Sequence, residues 1–566
     1  MKKRGLIFLL MLCTSLAVTL TAQETIIQNG NLRWRMSGNG RLGHNSGWLE
    51  MKNQNDWVHL VFNLGLWVAG EAPNGEVVAM TTAFGGQPRL AGSDYIMDKV
   101  WAVTAEDIAR HRADFEDNGV IDNPISAIFS WPAQFNPFFN EYNAFALSDE
   151  DRGRLGAGYF DANGTGHYDP DQGDFPVLPI QGCGSEIIPT EMHYCVFTRF
   201  SFGGIGTVAV LPLEVQLYTF YFGCTEENHP LNQTVFTLQK VTYTDREAAP
   251  GDTPVFSNCY WGQWVDPDLG CPYDDYIGSF PERNAAYAYN AAGTDCTWAG
   301  EADFGDQPPA LGIDVLRGPL DEQGNVLPIN SINYYNNAGS ATGQPATTDP
   351  GNAIEFANYL RGYWRDGTAL TVGGTGYNNG STPTQFAFPG LPEQAGGWTE
   401  WEAQNDPGDR RILLSYGDFS LEPGAVNEMI TAYTVYRGPG NHLEQATGLL
   451  DQIDLVQNLF NTCFDVESTP DFPVCTAIST NVFSAPPVAA LSIAPNPATT
   501  WLDLDLPAAG TYACTLRDLH GRVVLSQVLA AGHQRLQLPT LPAGLYVLSA
   551  QADSGKIMVA KVVVAQ

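Results

Sequence analysis

The C-terminal part of the chain follows the two-residue period of β-strands. Trp501-Leu502-Asp503-Leu504-Asp505-Leu506 alternates apolar and polar side chains, which places each kind on its own face of a strand. Further short runs of the same character follow, separated by turn residues, at 511–516, 522–529, 534–538, 544–550 and 556–564. So many short strands in so short a segment predict a β-sandwich.

The preceding region also favours strands, with few helices. Aromatic and β-branched residues recur from Leu32 to Ala69 between turn signals such as Asn39-Gly40, as in short antiparallel strands. Apolar spacing and capping residues predict three helices, at about 104–115, 350–359 and 443–460. The fold class predicted is therefore mainly β: a large β-rich region with a few helices, followed by an immunoglobulin-like β-sandwich.

The ends of the chain and one proline-rich stretch define the predicted domains. Met1-Lys2-Lys3-Arg4, the apolar run 6–20 and the small residues before Gln23 have the order of a signal peptide. The stretch 467–490 contains four prolines and is interpreted as a linker. The domains are then a signal peptide at 1–22, a β-rich region at 23–466, the linker at 467–490 and the sandwich at 491–566. An internal boundary near 155 is left open.

Composition excludes two classes of partner. The formal net charge is −34, and removing the three basic residues of the signal peptide makes it −37. A polyanion is repelled by nucleic acid and by anionic membranes, so neither is expected as a partner. No run after the signal peptide reaches the roughly 20 apolar residues of a membrane span, so we expect no transmembrane segment.

Cysteine usage fits an oxidising compartment. Of the 10 cysteines, an even set of eight lies between Cys183 and Cys475, which favours disulfides. Their short spacings suggest the bridges Cys183/Cys195, Cys259/Cys271 and Cys463/Cys475, which leaves Cys224 with Cys296. Cys514 is expected to be a buried side chain within a strand.

Four motifs at the C-terminus carry a resemblance to a known family. They are Ala494-Pro495-Asn496-Pro497, Arg517-Asp518-Leu519-His520-Gly521-Arg522, Leu541-Pro542-Ala543-Gly544-Leu545-Tyr546 and Lys561-Val562-Val563-Val564. Together they resemble the type IX secretion C-terminal sorting domain of exported Bacteroidota proteins, over residues 491–566. The residues that carry the sorting motif are Pro495, Asn496, Pro497, Asp518, Gly521, Arg522, Gly544, Tyr546 and Lys561.

The resemblance implies a location and a partner. It implies export through the periplasm by the type IX secretion machinery of the outer membrane, with release or attachment at the cell surface. The alternative is a terminal immunoglobulin-like domain with no targeting role. Most of Leu32–Phe464 is similar to a family of large uncharacterised exported Bacteroidota proteins, for example in "WVDPDLG" and "GYWRDGTALTVGG", and that family contributes no catalytic residues.

The segment from Asp161 to Asp174 has the pattern of a calcium loop. Oxygen-bearing side chains alternate along it, and glycines stand where the chain must turn, as needed to gather oxygens around a hard cation. An Asx-rich turn satisfied by its own backbone is the alternative. The predicted ligands are Asp161, Asn163, Thr165, Asp169 and the backbone carbonyl of His167, with Asp174 as a further carboxylate.

A second acidic cluster offers another calcium site. Asp266, Asp268, Asp274 and Asp275 place four carboxylates within ten residues, and such crowding is unfavourable unless a cation or a basic side chain compensates. A solvated acidic loop is the alternative.

Catalytic motifs are absent from the sequence. We find no His-Glu-x-x-His, no Gly-x-Ser-x-Gly and no phosphate loop. Glu400 and Glu402, beside two tryptophans, resemble glycosidase carboxylates only loosely, because such pairs usually come from separate elements. The preferred interpretation is a calcium-stabilised binding or structural module that takes a glycan or protein ligand. The alternative is a secreted hydrolase acting on polysaccharide or peptide through residues distant in sequence.

Overall fold

The structure is a computed structural model that describes residues 24–43, 47–183, 186–199, 211–226, 228–244, 254–298, 300–338, 344–476, 489–518, 523–542, 544–552 and 557–565. The predicted signal peptide lies outside these residues. The chain divides into two compact units, residues 1–478 and 479–566. Strands make up 40% of it and helices 15%, which confirms the mainly β class.

The first unit contains eighteen of the strands that the structure describes. In chain order they are β1 Glu24–Asn29, β2 Leu32–Ser37, β3 Leu49–Asn53, β4 Asp56–Glu71, β5 Val77–Thr81, β6 Trp101–Thr104, β7 Tyr159–Phe160, β8 Phe175–Pro176, β9 Glu191–Arg199, β10 Leu213–Tyr221, β11 Thr234–Tyr243, β12 Phe256–Pro267, β13 Asp275–Phe280, β14 Ala285–Asn290, β15 Ala310–Arg317, β16 Ile329–Asn336, β17 Arg410–Leu421 and β18 Val426–Tyr436.

Sixteen of these strands form two antiparallel sheets of eight. The first sheet has the order β1-β2-β3-β4-β12-β17-β16, with β5 also paired to β4. The second has the order β13-β14-β15-β18-β11-β10-β9-β6. The short strands β7 and β8 pair with each other.

The two sheets pack face to face around one apolar core. Trp34 of the first sheet contacts Tyr221 of the second at 5.6 Å between ring centroids. Deeper in the core, Gln239 donates a hydrogen bond to Gln263 across the sheets at 2.9 Å. A second core covers the other face of the second sheet, so strands such as β10 are buried almost throughout. Strands buried on both faces lose the alternation that marks half-buried ones.

Seven helices accompany the sheets in the described part of the first unit: α1 Ala105–Asn118, α2 Ser126–Phe129, α3 Phe139–Tyr142, α4 Asp149–Arg152, α5 Ala353–Leu360, α6 Glu400–Ala403 and α7 Glu444–Asn461. All three predicted helices are present, as α1, α5 and α7. Helix α1 begins with the predicted capping box, in which Thr104 and Asp107 exchange side-chain to backbone hydrogen bonds. Helix α5 starts later than predicted because the Asn352 side chain caps it.

The second unit is one six-stranded sheet: β19 Ala489–Ala490, β20 Ser492–Ala494, β21 Trp501–Asp518, β22 Val523–Gln537, β23 Gly544–Ala552 and β24 Ile557–Val564. The runs predicted as separate strands at 501–506 and 511–516 are continuous in β21, with a register shift between Leu506 and Thr511. Leucines from both halves of β21 share a single core with β23 and β24. The immunoglobulin-like topology stays a prediction.

The predicted disulfide pairings are wrong. The structure joins Cys183 to Cys463, Cys224 to Cys475 and Cys271 to Cys296. Two of these bridges span 280 and 251 residues, because the helix α7 segment returns to loops that belong to the first half of the unit. Cys195 and Cys259 lie in buried strands, where burial raises the pKa of the Cys259 thiol to about 12. Cys514 is buried in β21, as predicted.

Candidate functional site

The acidic cluster lies at one end of the first sheet, where β12 ends and β17 begins. These strands are antiparallel neighbours, and Val265 pairs with Ile412. The next positions along the ladder therefore place Asp266 beside Arg411. Asp268 follows β12 directly, and Asp409 directly precedes β17. Sheet pairing thus brings together acidic residues that lie more than 140 positions apart in the sequence.

Three carboxylates gather here, and two of them contact one guanidinium. Ligand oxygens of Asp266, Asp268 and Asp409 lie within 4.8 Å of one another. Arg411 Nη1 is 2.6 Å from Asp266 Oδ1 and also contacts Asp409 Oδ1. Asn337 Nδ2 donates to Asp409 Oδ2 at 2.6 Å. One positive charge against three carboxylates leaves an excess of negative charge when all are ionised.

Burial makes that excess unfavourable. It raises the pKa of Asp266 to about 8, although Arg411 opposes the shift. Burial, together with the neighbouring Asp266, raises the pKa of Asp268 well above its ordinary value. In Arg411, burial acts to lower the pKa, but the adjacent carboxylates of Asp266 and Asp409 hold it above its ordinary value. Such a group of carboxyls is stabilised in its ionised form by a bound cation.

The cluster forms the floor of a cavity of about 310 Å³. Its wall and mouth carry aromatic and polar side chains, including Trp57, His59, Tyr273, Trp298 and Glu301. Tyr273 and Trp298 are 47% and 42% exposed, which places them at the mouth. A second cavity of about 370 Å³ shares Asp266 and Arg411 with the first and is lined mainly by apolar side chains.

Asp274 and Asp275 do not join this group, although the sequence predicted them as ligands of the same site. Asp275 is fully buried, and its Oδ2 accepts a hydrogen bond from Leu269 N at 3.1 Å. Asp274 Oδ2 accepts from Cys296 N at 2.9 Å, next to the Cys271–Cys296 disulfide. Of the four predicted carboxylates, Asp266 and Asp268 therefore line the cavity. Asp274 and Asp275 instead accept hydrogen bonds from backbone N–H groups.

The loop 161–174 satisfies its carboxylates with its own backbone. Asp161 accepts hydrogen bonds from Gly164, Thr165 and Gly166 N–H groups, and these bonds, Gly166 first, lower its pKa. Asp174 accepts from Ala162 N and Asp169 N at 2.8 Å each. Thr165 Oγ1 donates to the His167 carbonyl at 3.1 Å, so that predicted ligand oxygen accepts a hydrogen bond within the loop.

These contacts are those of an Asx-rich turn. Among the residues that the structure describes, the groups of three or more neighbouring His, Cys, Asp or Glu side chains do not include this loop. Calcium binding by Asp161, Asn163, Thr165, Asp169 and Asp174 stays a prediction.

Two other such groups occur among the described residues. Cys224 and Cys475 lie near His229, and Cys271 and Cys296 lie near Asp274 and Asp295. In both groups the cysteines are joined in disulfides, so their sulfurs are not free thiolates for a metal. The group formed by Asp266, Asp268 and Asp409 is the one whose ligands are all carboxylates.

Glu400 and Glu402 do not form a catalytic pair. They lie in the short helix α6 and not in a strand, and Glu400 is fully buried in an ion pair with Arg410 at 2.9 Å. Glu402 is exposed. The residues that sequence reasoning missed are Asp409, Arg411, Asn337, Tyr273 and Trp298. Only "PGDRRILLSYGDF" carried a signal, a charged run opening a strand, and it does not reveal its partner across the sheet.

The sorting-motif residues lie in the second unit. Asn496 Oδ1 accepts a hydrogen bond from Val563 N at 2.7 Å, which ties the Pro495-Asn496-Pro497 turn to β24. Asp518 pairs with Tyr546 in the β21–β23 ladder, and the Tyr546 hydroxyl donates to the Pro542 carbonyl at 3.0 Å. Gly544 opens β23.

The remaining sorting-motif residues are Lys561, Gly521 and Arg522. Lys561 lies in β24 opposite Val547. The other side of that strand is partly covered by β19 and by the Ala498 bridge to Val564. Gly521 and Arg522 lie outside the described residues.

Comparison with known proteins identifies the C-terminal unit. Residues 492–565 match the family described as "Secretion system C-terminal sorting domain". No curated protein matches the chain. A solved structure titled as a polysaccharide lyase aligns at 11% identity and a TM-score of 0.15, covering 65% of this chain and 35% of that one. The chain thus spans about a third of that structure, and at this TM-score the likeness supports no inference about fold or activity.

Proposed function

Because the chain carries a secretion system C-terminal sorting domain and is therefore a secreted or cell-surface protein handled by the type IX machinery, we propose that its first unit is a binding module stabilised by calcium. Within the described part of the chain, every helix is too short or too polar to cross a lipid bilayer. The ligand in this proposal is external to the cell, and no catalytic step is assigned.

The convergence of Asp266, Asp268 and Asp409 supports the calcium part of the proposal. Calcium takes six to eight oxygen ligands, mostly from carboxylates, amide carbonyls and water. The three carboxylates are oxygen ligands of this kind at the floor of an open cavity. No described residue donates a hydrogen bond to the Asp268 carboxylate, so this group is the one most available to an entering cation. Bound calcium would offset the negative charge that Arg411 does not balance.

Calcium titration tests this proposal. We expect millimolar CaCl₂ added to the EDTA-treated full chain to raise its melting temperature. A ligand at one hundred times its Kd stabilises the folded state by about 2.7 kcal/mol. Asp268→Asn should abolish most of this shift, whereas the exposed carboxylate variant Glu402→Gln should retain it.

A third variant separates the two predicted sites. Asp161→Asn alters the 161–174 loop and leaves the cavity intact. Loss of the shift in that variant, with full retention in Asp268→Asn, would move calcium to the loop. No shift in the wild-type chain would remove calcium from the proposed function.

A secreted hydrolase acting on polysaccharide or peptide is the second candidate. It is favoured by one observation, the presence of carboxyl groups with different partners in the same cavity: Asp409 is bonded to Asn337 and Arg411, and Asp268 is not. Carboxyls in unlike environments are the usual basis of paired acid and base roles. Product release from glycan or peptide substrates, lost in Asp268→Asn, would support this candidate over the binding module.

A further inference from the structure

The mouth of the cavity is formed by two aromatic rings in edge-to-face contact. Tyr273 and Trp298 have ring centroids 5.9 Å apart and planes inclined by 78°. Single exposed aromatic residues need no explanation, but these two line the same cavity as the carboxylates. They offer apolar faces directly beside a set of hydrogen-bond acceptors.

A disulfide fixes the two loops that carry these rings. Cys271 lies two residues before Tyr273, Cys296 lies two residues before Trp298, and the cysteines are bonded to each other. Two hydrogen bonds also join the loops, and in each of them an aspartate of one loop accepts from a backbone N–H group of the other. Asp274 accepts from Cys296 N at 2.9 Å, and Asp295 accepts from Cys271 N at 3.1 Å. Because the backbone of both loops is held in this way, little loop ordering is needed when a ligand binds, which favours affinity.

The polar side chains of the cavity include four carboxylates. Asp268 and Asp409 line the floor, and Glu301 lines the wall. Carboxylates form strong charge-assisted hydrogen bonds with hydroxyl donors. A ligand that fits has an apolar face for the rings and several hydroxyl groups for the carboxylates. A pyranose ring has both features.

The negative charge of the cavity favours neutral sugars over acidic ones. Four carboxylates, including Glu301, line the cavity with one arginine, and the whole chain carries a formal charge of −34. Uronic acids and sulfated sugars would bring more negative charge to this site and are repelled. A protein partner fits less well, because specific protein interfaces bury about 800 Å² per partner and are built around a well-packed apolar core. The mouth offers two rings beside a small cavity.

We propose that this cavity binds a neutral polysaccharide, with its sugar rings packed against Tyr273 and Trp298 and its hydroxyl groups donating to Asp268 and Asp409. This inference rests on the proposed function and names the ligand of the same site.

Affinity electrophoresis of the full chain tests the proposal. Native gels would contain a neutral polysaccharide or an acidic one of related backbone: galactan against polygalacturonate, and mannan against alginate. We expect at least one neutral polysaccharide to retard the protein and both uronate polymers to leave its mobility unchanged in EDTA, where no cation offsets the cavity carboxylates. Failure of galactan, mannan, glucan and xylan alike, or equal retardation by the uronates, would overturn the inference.

Two tryptophan variants locate the site. Trp298→Ala should weaken retardation about tenfold or more, a typical effect of removing a central aromatic side chain. Trp401→Ala is the matched control, because Trp401 is 40% exposed and lies outside the cavity. Equal binding by the two variants would refute the assignment of the site.

The calcium melting shift, measured on the same samples, separates the two proposals. A shift without neutral-glycan binding overturns only the ligand assigned here. Glycan binding without a shift supports the ligand and removes calcium from the proposed function.

Discussion

At the scale of single residues, a fully buried ion pair between Glu400 and Arg410 links elements of the described first unit. Glu400 is fully buried, and both of its oxygens contact the Arg410 side chain, at 3.2 and 2.9 Å. It also accepts a hydrogen bond from Ile277 N at 3.0 Å. These contacts join α6, β13 and β17, so the ion pair connects an edge strand of the second sheet to the first sheet.

We predict that Glu400→Gln destabilises the protein by about 3–5 kcal/mol, because it leaves the buried guanidinium of Arg410 without its counter-charge. Urea denaturation followed by tryptophan fluorescence would measure the change. The exposed neighbour supplies the control, since Glu402→Gln should alter the free energy of unfolding by less than about 0.5 kcal/mol. Equal stability of the two variants would show that the pair contributes little.

Lys99 gives a prediction about pH. Burial lowers the pKa of its ammonium group to about 8, and its Nζ donates to Asn143 Oδ1 at 2.6 Å. The unfolded chain keeps this proton up to about pH 10.4, so unfolding takes up a proton between the two values. The contribution of Lys99 to the free energy of unfolding therefore rises with pH from about 8 to about 10.4.

The measurement compares wild type with Lys99→Met. We expect denaturation curves at several pH values between 8 and 9.5 to show that the free energy of unfolding of the wild type increases relative to that of the variant as pH rises. Taking the difference cancels the titration of buried tyrosines. A constant difference across this range would contradict the lowered pKa.

The candidate site was only partly predictable from single residues. Asp266 and Asp268 stood out because like charges crowd in a short segment. Asp409 and Arg411 did not, since their relation to Asp266 exists only through the β12–β17 register. Asp274 looked equivalent to Asp268 in the sequence, but the structure turns its carboxylate toward the Cys296 backbone. Local sequence shows that carboxylates are present, but not which way their side chains face.

At the scale of elements, the start of α1 is set by its capping box. Thr104 Oγ1 accepts from Asp107 N at 3.0 Å, and Asp107 accepts from Thr104 N. We predict that Thr104→Ala lowers the free energy of unfolding by about 0.5–2 kcal/mol, because a half-buried helix end loses a partner for its N–H groups. Thr104→Ser keeps the hydroxyl and should cost much less. Equal losses in both variants would attribute the effect to the Thr methyl group.

Helices were predicted better than strands, for a physical reason. The apolar residues of α7 recur at helical spacing because only one face is buried, from Ala446 through Leu449 and Ile453 to Phe460. Strands such as β10 are covered on both faces, so burial does not alternate along them and the sequence pattern does not show which face lies against which core. The predicted disulfide pairings were wrong for a related reason, since the path of the chain between the sheets decides which cysteines meet.

At the scale of the whole molecule, the sequence predicted the identity of the second unit but not the strand pairing of the first. The mainly β class and the C-terminal sorting domain followed from strand patterns and a resemblance that the family match supports. The pairing of sixteen strands into two facing sheets did not, because strands adjacent in the first sheet, such as β4 and β12, are far apart along the chain. Long-range pairing of this kind leaves no local pattern.

The division into two units leads to a prediction about export. The first unit has its own cores, and its three disulfides lie within residues 183–475, so deletion of 491–566 removes none of these contacts. We expect the truncated chain to unfold at the same urea concentration as the first unit of the full chain and yet to remain in the periplasm. Fractionation of an expressing strain would measure its location. Fusing residues 479–566 to a periplasmic fluorescent carrier should send that carrier out of the cell. Secretion of the truncated chain at the normal level, or retention of the carrier fusion, would show that the export signal lies elsewhere.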